Sequence, residues 1–159
     1  MSADRKTIIV FSGDLDKAMA AFTIATGALA MGCQVTMFFT FWGLNILRKP
    51  EKVSVKKGFV ERLLGFVMPR GPGRLGISKM NYGGLGARMM RKVMKDKNVQ
   101  SLPELMETAR SLGVNIIACT TSMDVMGITK DELIDGIGYA GVATYLAEAD
   151  RAGLNLFIG

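Results

Sequence analysis

One cysteine in this sequence lies where a thiol could react. Cys119 ends an apolar run that begins at Val114. Three hydroxyl residues follow it directly: Thr120, Thr121 and Ser122. A cysteine that ends a strand and precedes a helix meets unpaired backbone amides and the positive end of the helix dipole. Both features favour the thiolate, the nucleophilic form of cysteine, so this position predicts thiol chemistry.

A second interpretation of Cys119 is that it only fills space. Free cysteine is among the residues most often buried in proteins, where it packs as a small hydrophobic side chain. Position alone leaves both interpretations open, and Asp124 would oppose the thiolate if its carboxylate pointed inward. Cys33 begins a predicted strand at the opposite edge of the sheet, and we interpret it as a packing residue.

The absence of histidine excludes whole classes of site. Ser-His-Asp and Cys-His triads, HExxH zinc sites and histidine phospho-relays all need an imidazole. The two cysteines are too far apart in the sequence to form a CxxC pair, and too few for a four-cysteine metal site. We therefore expect neither a metal nor a cofactor.

Alternating strands and helices are predicted to position Cys119. The apolar run over residues 6–11 predicts a buried strand, and apolar residues at helical spacing from Leu15 to Leu29 predict a helix. A second strand follows over residues 33–39. Strand, helix and strand in this order indicate a right-handed βαβ unit with parallel strands.

The second half of the chain repeats this alternation. Ser101 and Glu104 form a capping box that opens a helix ending at Gly113, and residues 114–119 follow as the third strand. The later elements are a short helix opened by Thr129 and Glu132 that runs through Leu133, Ile134 and Ile137, a brief strand at 138–140, a helix at 142–152 and a last strand at 154–158. The pattern predicts one α/β domain over residues 1–159, a flavodoxin-like three-layer sandwich with a mainly parallel sheet.

Polar and small residues follow the first two strands at the point where each strand ends. Ser12, Gly13 and Asp14 follow the first strand, and Thr40 and Trp42 follow the second. Because the carboxyl ends of parallel strands share one edge, we expect these residues to line the same rim as the hydroxyl residues after Cys119. For Trp42, packing in the core or in a subunit interface is favoured over stacking on a ligand.

Residues 48–97, here called the basic segment, carry most of the positive charge. They hold fourteen of the 20 Lys and Arg residues but three of the 14 acidic ones. The segment is Gly-rich, and we interpret it as an insert in the α/β domain that ends in a basic helix near residues 85–95. Its glycines match neither GxxxxGK[ST] nor a strand-linked GxGxxG. A solvated basic face, or one that docks on an acidic protein or a membrane surface, is favoured over nucleic-acid binding.

Residues 18–47 contain no charged side chain, which raises the alternative of a membrane span. Polar residues dilute this stretch, and a turn at Met31 and Gly32 divides it into a buried helix and a buried strand. The first ten residues lack the pattern of a secretory signal. We expect a protein of the reducing cytoplasm.

Three stretches of this sequence resemble the DsrE/DsrF-like sulfur-relay family, in its larger single-chain DsrE-like branch that is also labelled peroxiredoxin-family. They are IVFSGDLDKA (residues 9–18), VTMFFTFWGL (35–44) and ACTTSMDVMG (118–127), joined by the basic segment. The resemblance implies that Cys119 accepts sulfane sulfur as a persulfide and passes it to a partner thiol. It also implies a homo-oligomer that works with TusA-like or rhodanese-like sulfur carrier proteins.

Two other functions stay open beside the sulfurtransferase interpretation. The chain could be a non-catalytic assembly subunit of a relay complex, with the apolar residues 38–47 and the methionine-rich helix in an interface. It could also be a module that binds anionic ligands or nucleic acid through the basic segment. A gain of sulfur on Cys119 distinguishes the relay from both.

Overall fold

The computed structural model describes residues 4–159 and contains a five-stranded sheet in the order β4-β3-β2-β1-β5, with all neighbouring strands parallel. The strands are β1 (Arg5–Val10), β2 (Gln34–Phe39), β3 (Asn115–Cys119), β4 (Gly138–Ala140) and β5 (Leu154–Ile158). The parallel α/β fold predicted from the alternating pattern is therefore confirmed. β1 lies inside the sheet, where β2 and β5 flank it.

Six α-helices are present in the described residues: α1 (Leu15–Ala30), α2 (Phe59–Val67), α3 (Leu85–Asp96), α4 (Leu102–Ser111), α5 (Thr120–Met126) and α6 (Val142–Ala149). Three 3₁₀ segments accompany them, at Phe41–Leu47, Tyr82–Gly84 and Lys130–Glu132. Glu104 opens α4 as predicted, because its carboxylate accepts hydrogen bonds from the backbone N–H and the hydroxyl of Ser101.

The sheet is buried on two faces because its strands are apolar at successive positions. On one face α1 and α4 pack together over the main core, which includes Phe22, Met37 and Phe39. On the other face Tyr145 of α6 packs over Phe38, and their ring centroids are 5.1 Å apart. Three layers result, as the apolar pattern predicts.

The uncharged stretch 18–47 is a set of core elements. It contains most of α1, a turn in which Gly32 adopts a φ of +83°, β2 and the first 3₁₀ segment. Among residues 4–159, no helix combines the length and the apolar character needed to cross a membrane.

The basic segment docks on the core at a few points. Met68 and Leu75 are buried in the main core. Partial burial alone would raise the pKa of Asp16 in α1, but its carboxylate accepts hydrogen bonds from the hydroxyl and the backbone N–H of Ser78, which help to lower that pKa below its ordinary value. The predicted basic helix is present as α3. α2 was not predicted, and it exposes most of its apolar side chains.

The helix predicted through Leu133, Ile134 and Ile137 is wrong. Thr129 and Glu132 do form a capping box, but the segment that it begins is only the 3₁₀ turn Lys130–Glu132. Leu133 then pairs with Arg48 in an isolated antiparallel bridge, and the backbone N–H of Ile134 donates to the carbonyl of Leu47. These tertiary hydrogen bonds occupy the backbone groups that a continuing helix would need.

Candidate functional site

Cys119 lies at the carboxyl end of β3 and immediately precedes α5, as predicted. It is 6% exposed. Because side chains alternate along a strand, Cys119 points to the same face of the sheet as Ile117. There the two residues form an apolar cluster with Phe38 and Tyr145. The thiol is thus held in an apolar layer at the end of a strand.

The immediate surroundings of the thiol differ from the expectation in one respect. Within the described chain, the side chain of Cys119 makes no hydrogen bond to the backbone amides of α5. The alternation of β3 directs the side chain toward α6 instead. Asp124 is exposed on α5, so its carboxylate does not point inward at the thiol. Of the expected environment, the structure confirms only that Cys119 directly precedes α5.

The predicted hydroxyl residues do not share one environment. Ser122 is buried, and its Oγ lies 2.7 Å from Oγ1 of Thr40, which joins α5 to the loop after β2. Thr120 is half-buried and Thr121 is exposed. Thr40 and Ser122 are therefore brought together beside the strand end that carries Cys119.

Four of the predicted rim residues line a separate cavity of about 350 Å³: Ser12, Gly13, Asp14 and Trp42. Within it, the hydroxyl of Ser12 donates to the carboxylate of Asp14 at 2.9 Å. Cys119 is not among the described residues that line this cavity. Because β2 lies between β1 and β3, the carboxyl ends of β1 and β3 are about 10 Å apart. The predicted rim is therefore divided into two neighbouring groups of residues, one around the cavity and one beside Cys119.

The change in strand order lies between β1 and β5, beside this cavity. In open α/β sheets, ligands collect where the strand order changes. Gly159 and Phe11, which follow β5 and β1, both line the cavity. Strand order thus favours the Ser12–Asp14 loop as a ligand crevice, whereas Cys119 lies within the run of strands from β1 to β4.

Two glycines allow the loops after β1 and β2 to touch. A Cβ atom on Gly13 would lie 2.6 Å from the carbonyl oxygen of Trp42, and one on Gly43 would lie 2.1 Å from that of Val10. Real Cβ atoms do not approach a carbonyl oxygen this closely, so a side chain at either position forces the backbone apart.

We expect Gly43→Ala to lower the free energy of unfolding by about 1–3 kcal/mol, because the added methyl group must displace the carbonyl of Val10. Gly27→Ala is the matched control, since a Cβ atom there meets open space, and alanine in a helix interior gains about 0.5–1 kcal/mol over glycine. Urea denaturation measures both changes. Equal stability of the two variants would contradict the close approach.

Exposed aromatic side chains lie at the carboxyl ends of β2 and β5, and we call them the aromatic rim: Phe41 and Trp42, which follow β2, and Phe157, near the end of β5. Phe11 joins this rim to the sheet, with ring centroids 5.6 Å from Phe41 and 6.0 Å from Phe157. Trp42 is 51% exposed. Packing in the core of its own chain, one of the three interpretations offered for Trp42, is therefore wrong; packing in a subunit interface and stacking on a ligand stay predictions.

A group of buried ionic side chains around Glu132, here called the Glu132 cluster, was not predicted from the sequence. Glu132 is 1% exposed. Its carboxylate lies 3.3 Å from Nη2 of Arg48, 2.5 Å from Nζ of Lys57 and 3.5 Å from Nη2 of Arg70. The sequence pattern identified Glu132 only as a helix-capping residue, and nothing in it pointed to partners so distant along the chain.

Burial and charge act in opposite directions in the Glu132 cluster. Burial alone would raise the pKa of Glu132, but hydrogen bonds from Lys57 and Thr129 and the charges of Lys57 and Arg48 lower it below its ordinary value. For Arg48, burial and the neighbouring charge of Arg70 lower the pKa, while Glu132 raises it in part. The carboxylate is thus held ionised by an excess of positive charge.

Metal ligands do not gather in the described residues. Residues 4–159 contain no group of three or more His, Cys, Asp or Glu side chains that could hold a metal ion. Cys33 and Cys119 are both free thiols. Cys33 lies just before β2 at the opposite edge of the sheet, where it is half-buried against the main core.

Comparison with known proteins relates almost the whole chain to one family. The DsrE/DsrF/DrsH-like family matches residues 2–157. The chain is 54% identical over 154 residues to Uncharacterized protein YrkE of Bacillus subtilis, covering 97% of this chain and 96% of that protein. It is 35% identical over 162 residues to Sulfur carrier protein DsrE2 of Allochromatium vinosum, covering 99% and 100%.

Solved structures share the fold at low sequence identity. The crystal structure of the ychN protein from E. coli matches with a TM-score of 0.60 at 11% identity, over 97% of this chain and 98% of that one. The protein MTH1491 from Methanobacterium thermoautotrophicum matches with a TM-score of 0.53 at 11% identity, over 96% and 98%. At this identity the likeness establishes the architecture alone.

Proposed function

Because this chain belongs to the DsrE/DsrF/DrsH-like family, we propose that it is a sulfur-relay protein, a sulfurtransferase that carries sulfane sulfur as a persulfide on Cys119. The main support is its 35% identity, along the full length, to a relative named as a sulfur carrier protein. The position of Cys119 at the carboxyl end of an interior strand adds to this support.

The proposed transfer consists of two thiol exchanges. The Cys119 thiolate attacks the outer sulfur of a donor persulfide; a new S–S bond forms on Cys119, the donor S–S bond breaks, and the donor leaves as a thiolate. A partner thiolate then attacks the outer sulfur on Cys119 and releases the Cys119 thiolate. Each step moves one sulfane sulfur from one thiolate to another, so no external oxidant is needed. No imidazole is needed as a general base once the thiols are ionised.

The burial of Cys119 suits a carried persulfide. Sulfur species on an exposed cysteine are open to oxidation, whereas the apolar cluster around Cys119 limits access by water and oxidants. Cys33 is the more exposed thiol, yet it lies at the opposite edge of the sheet. If sulfur is loaded on Cys119 and not on Cys33, the cause is therefore the chemical environment at the end of β3 and not the exposure of the thiol to solvent.

The test of this proposal is mass spectrometry after incubation with a persulfide donor, because each sulfur carried adds about 32 Da. The proposed partners are TusA-like or rhodanese-like proteins, whose thiols would donate or accept the sulfur. We place the relay in the cytoplasm, where thiols stay reduced.

We also propose that the protein is a homo-oligomer, with the aromatic rim in the interface. Exposed aromatic residues in one patch mark interaction surfaces. The expected result of light scattering is a mass that is a multiple of the 17.2 kDa chain. Trp42→Ala should shift that mass toward the monomer, while Tyr82→Ala, an exposed aromatic outside the rim, should not. A wild-type monomer at micromolar concentration would contradict this assembly.

A non-catalytic assembly subunit is the second candidate function. One observation favours it: α2 exposes large apolar side chains, among them Phe59 and Phe66, beside the positive charge of the basic segment. An acidic protein or a membrane surface would complement such a face better than nucleic acid would. A subunit of this kind would gain no sulfur on Cys119, so the same mass measurement separates the two functions.

A further inference from the structure

The charges of the Glu132 cluster do not balance. Three cations, Arg48, Lys57 and Arg70, lie within 4 Å of a single carboxylate. Arg48 is fully buried, and Lys57 and Arg70 are mostly so. Charges removed from water are costly unless each is paired, so this cluster carries two positive charges more than its own carboxylate can match.

Two nitrogen atoms of this cluster are also without partners. Nε of Arg48 and Nη1 of Arg70 are buried and make no hydrogen bond within residues 4–159. Buried donors are almost always hydrogen-bonded in folded proteins, so each exception needs a physical explanation, and an ion that binds there is one of them. Both unpaired atoms belong to guanidinium groups, which donate to anions in a planar fork.

A cavity of about 510 Å³ opens beside the cluster. Lys57, Arg70 and Glu132 line it together with three further cations, Lys52, Arg62 and Arg74, and one further carboxylate, Glu61, so cations outnumber acids five to two. Gly65 of α2 also lines the cavity, and the position that a Cβ atom would take there is 3.8 Å from Nη2 of Arg48 and 4.0 Å from Nζ of Lys57, so the buried cations lie directly behind this part of the wall.

We propose that this cavity binds a small anion through a tetrahedral oxyanion group, such as sulfate, thiosulfate or phosphate. Arg70 offers an unused guanidinium nitrogen, and Arg74 and Lys52 add positive charge without a carboxylate partner within 4 Å in the described chain. A bound dianion would offset the excess charge of the Glu132 cluster. This site is separate from Cys119, and its existence does not depend on the sulfur relay.

Isothermal titration of the full chain with sodium sulfate, thiosulfate or phosphate, at constant ionic strength in chloride, tests the site. We expect saturable binding of one anion per chain. Arg74→Gln should weaken binding at least about tenfold, since a charge-assisted contact to an anion is lost. Lys92→Gln, the same loss of charge on exposed α3, should leave affinity unchanged within about twofold, because exposed charges are screened by salt.

Arg70 provides a second variant that separates geometry from charge. Arg70→Lys keeps the charge but loses the guanidinium fork, so it should bind the anion more weakly than the wild type while circular dichroism shows an intact fold. A preference for one of the three anions identifies the ligand within the proposed class. The proposal is overturned if none of them gives saturable heat, or if Lys92→Gln weakens binding as much as Arg74→Gln does.

Discussion

We expect Cys119→Ser protein to gain no sulfur when it is incubated with a persulfide donor, and Cys33→Ser protein to gain about 32 Da for each sulfur carried. This result is expected because Cys119 ends an interior strand at the carboxyl edge of the sheet, while Cys33 lies at the amino edge. Serine is close to cysteine in size, so the change removes the nucleophilic sulfur and leaves the apolar cluster packed. The readout is the mass of the intact protein, followed by peptide mapping.

Two controls make this result specific. Urea denaturation of Cys119→Ser should give a stability within about 1–2 kcal/mol of the wild type, the cost of one buried hydroxyl group. Treating the loaded wild-type protein with a reductant should return its mass to the starting value, as a persulfide requires. Equal loading of the two single variants would remove Cys119 from its proposed role.

Glu132→Gln is expected to lower the free energy of unfolding by about 3–5 kcal/mol, because removing one partner of a buried ion pair leaves its counter-charges uncompensated. Here three cations would face a neutral amide in place of a carboxylate. Glutamine has nearly the same size as glutamate, so the decrease in the free energy of unfolding is due to the lost charge and not to altered packing. Urea denaturation with circular dichroism measures it.

Glu104→Gln is the matched control, because Glu104 has the same capping role at the start of α4 but is exposed. Glu104→Gln should lower the free energy of unfolding clearly less than Glu132→Gln does. The pKa of Glu132 is depressed in the folded state, so its contribution is complete above the ordinary carboxyl value of 4.5 and is lost as the pH falls through the lower folded value. Wild-type stability should therefore decline in acid more steeply than that of Glu132→Gln. A parallel decline would show that Glu132 does not carry this dependence.

Much of the fold could be predicted because its signals are local. β5 has the predicted bounds, β3 begins one residue later than predicted, and α1 begins at the expected Leu15, since apolar runs and helical spacing depend on neighbouring residues. The 3₁₀ segment Phe41–Leu47 was missed because an apolar run carries no sign of its backbone geometry. α2 was missed because its apolar side chains are mostly exposed and match no core face.

The candidate site was less predictable because it depends on strand order. The sequence identifies which residues follow strands but not that β2 separates β1 from β3, which divides Ser12–Asp14 from Cys119. The Glu132 cluster depends on still longer contacts, as Glu132 and Arg48 are 84 positions apart. Such pairs leave no periodic signal in a single sequence.

The pairing of β1 with β5 has a consequence for how the protein folds. Lys6 is paired with Leu154, so the β5 edge of the sheet forms only after nearly all of the intervening chain has been brought back to its beginning. Contacts of such separation slow folding, since the entropy of loop closure is lost before the contacts form. Until β5 arrives, β1 presents an open row of backbone donors and acceptors, the kind of edge on which other chains add strands. A nascent chain of this protein is thus most vulnerable to aggregation just before its last strand is available.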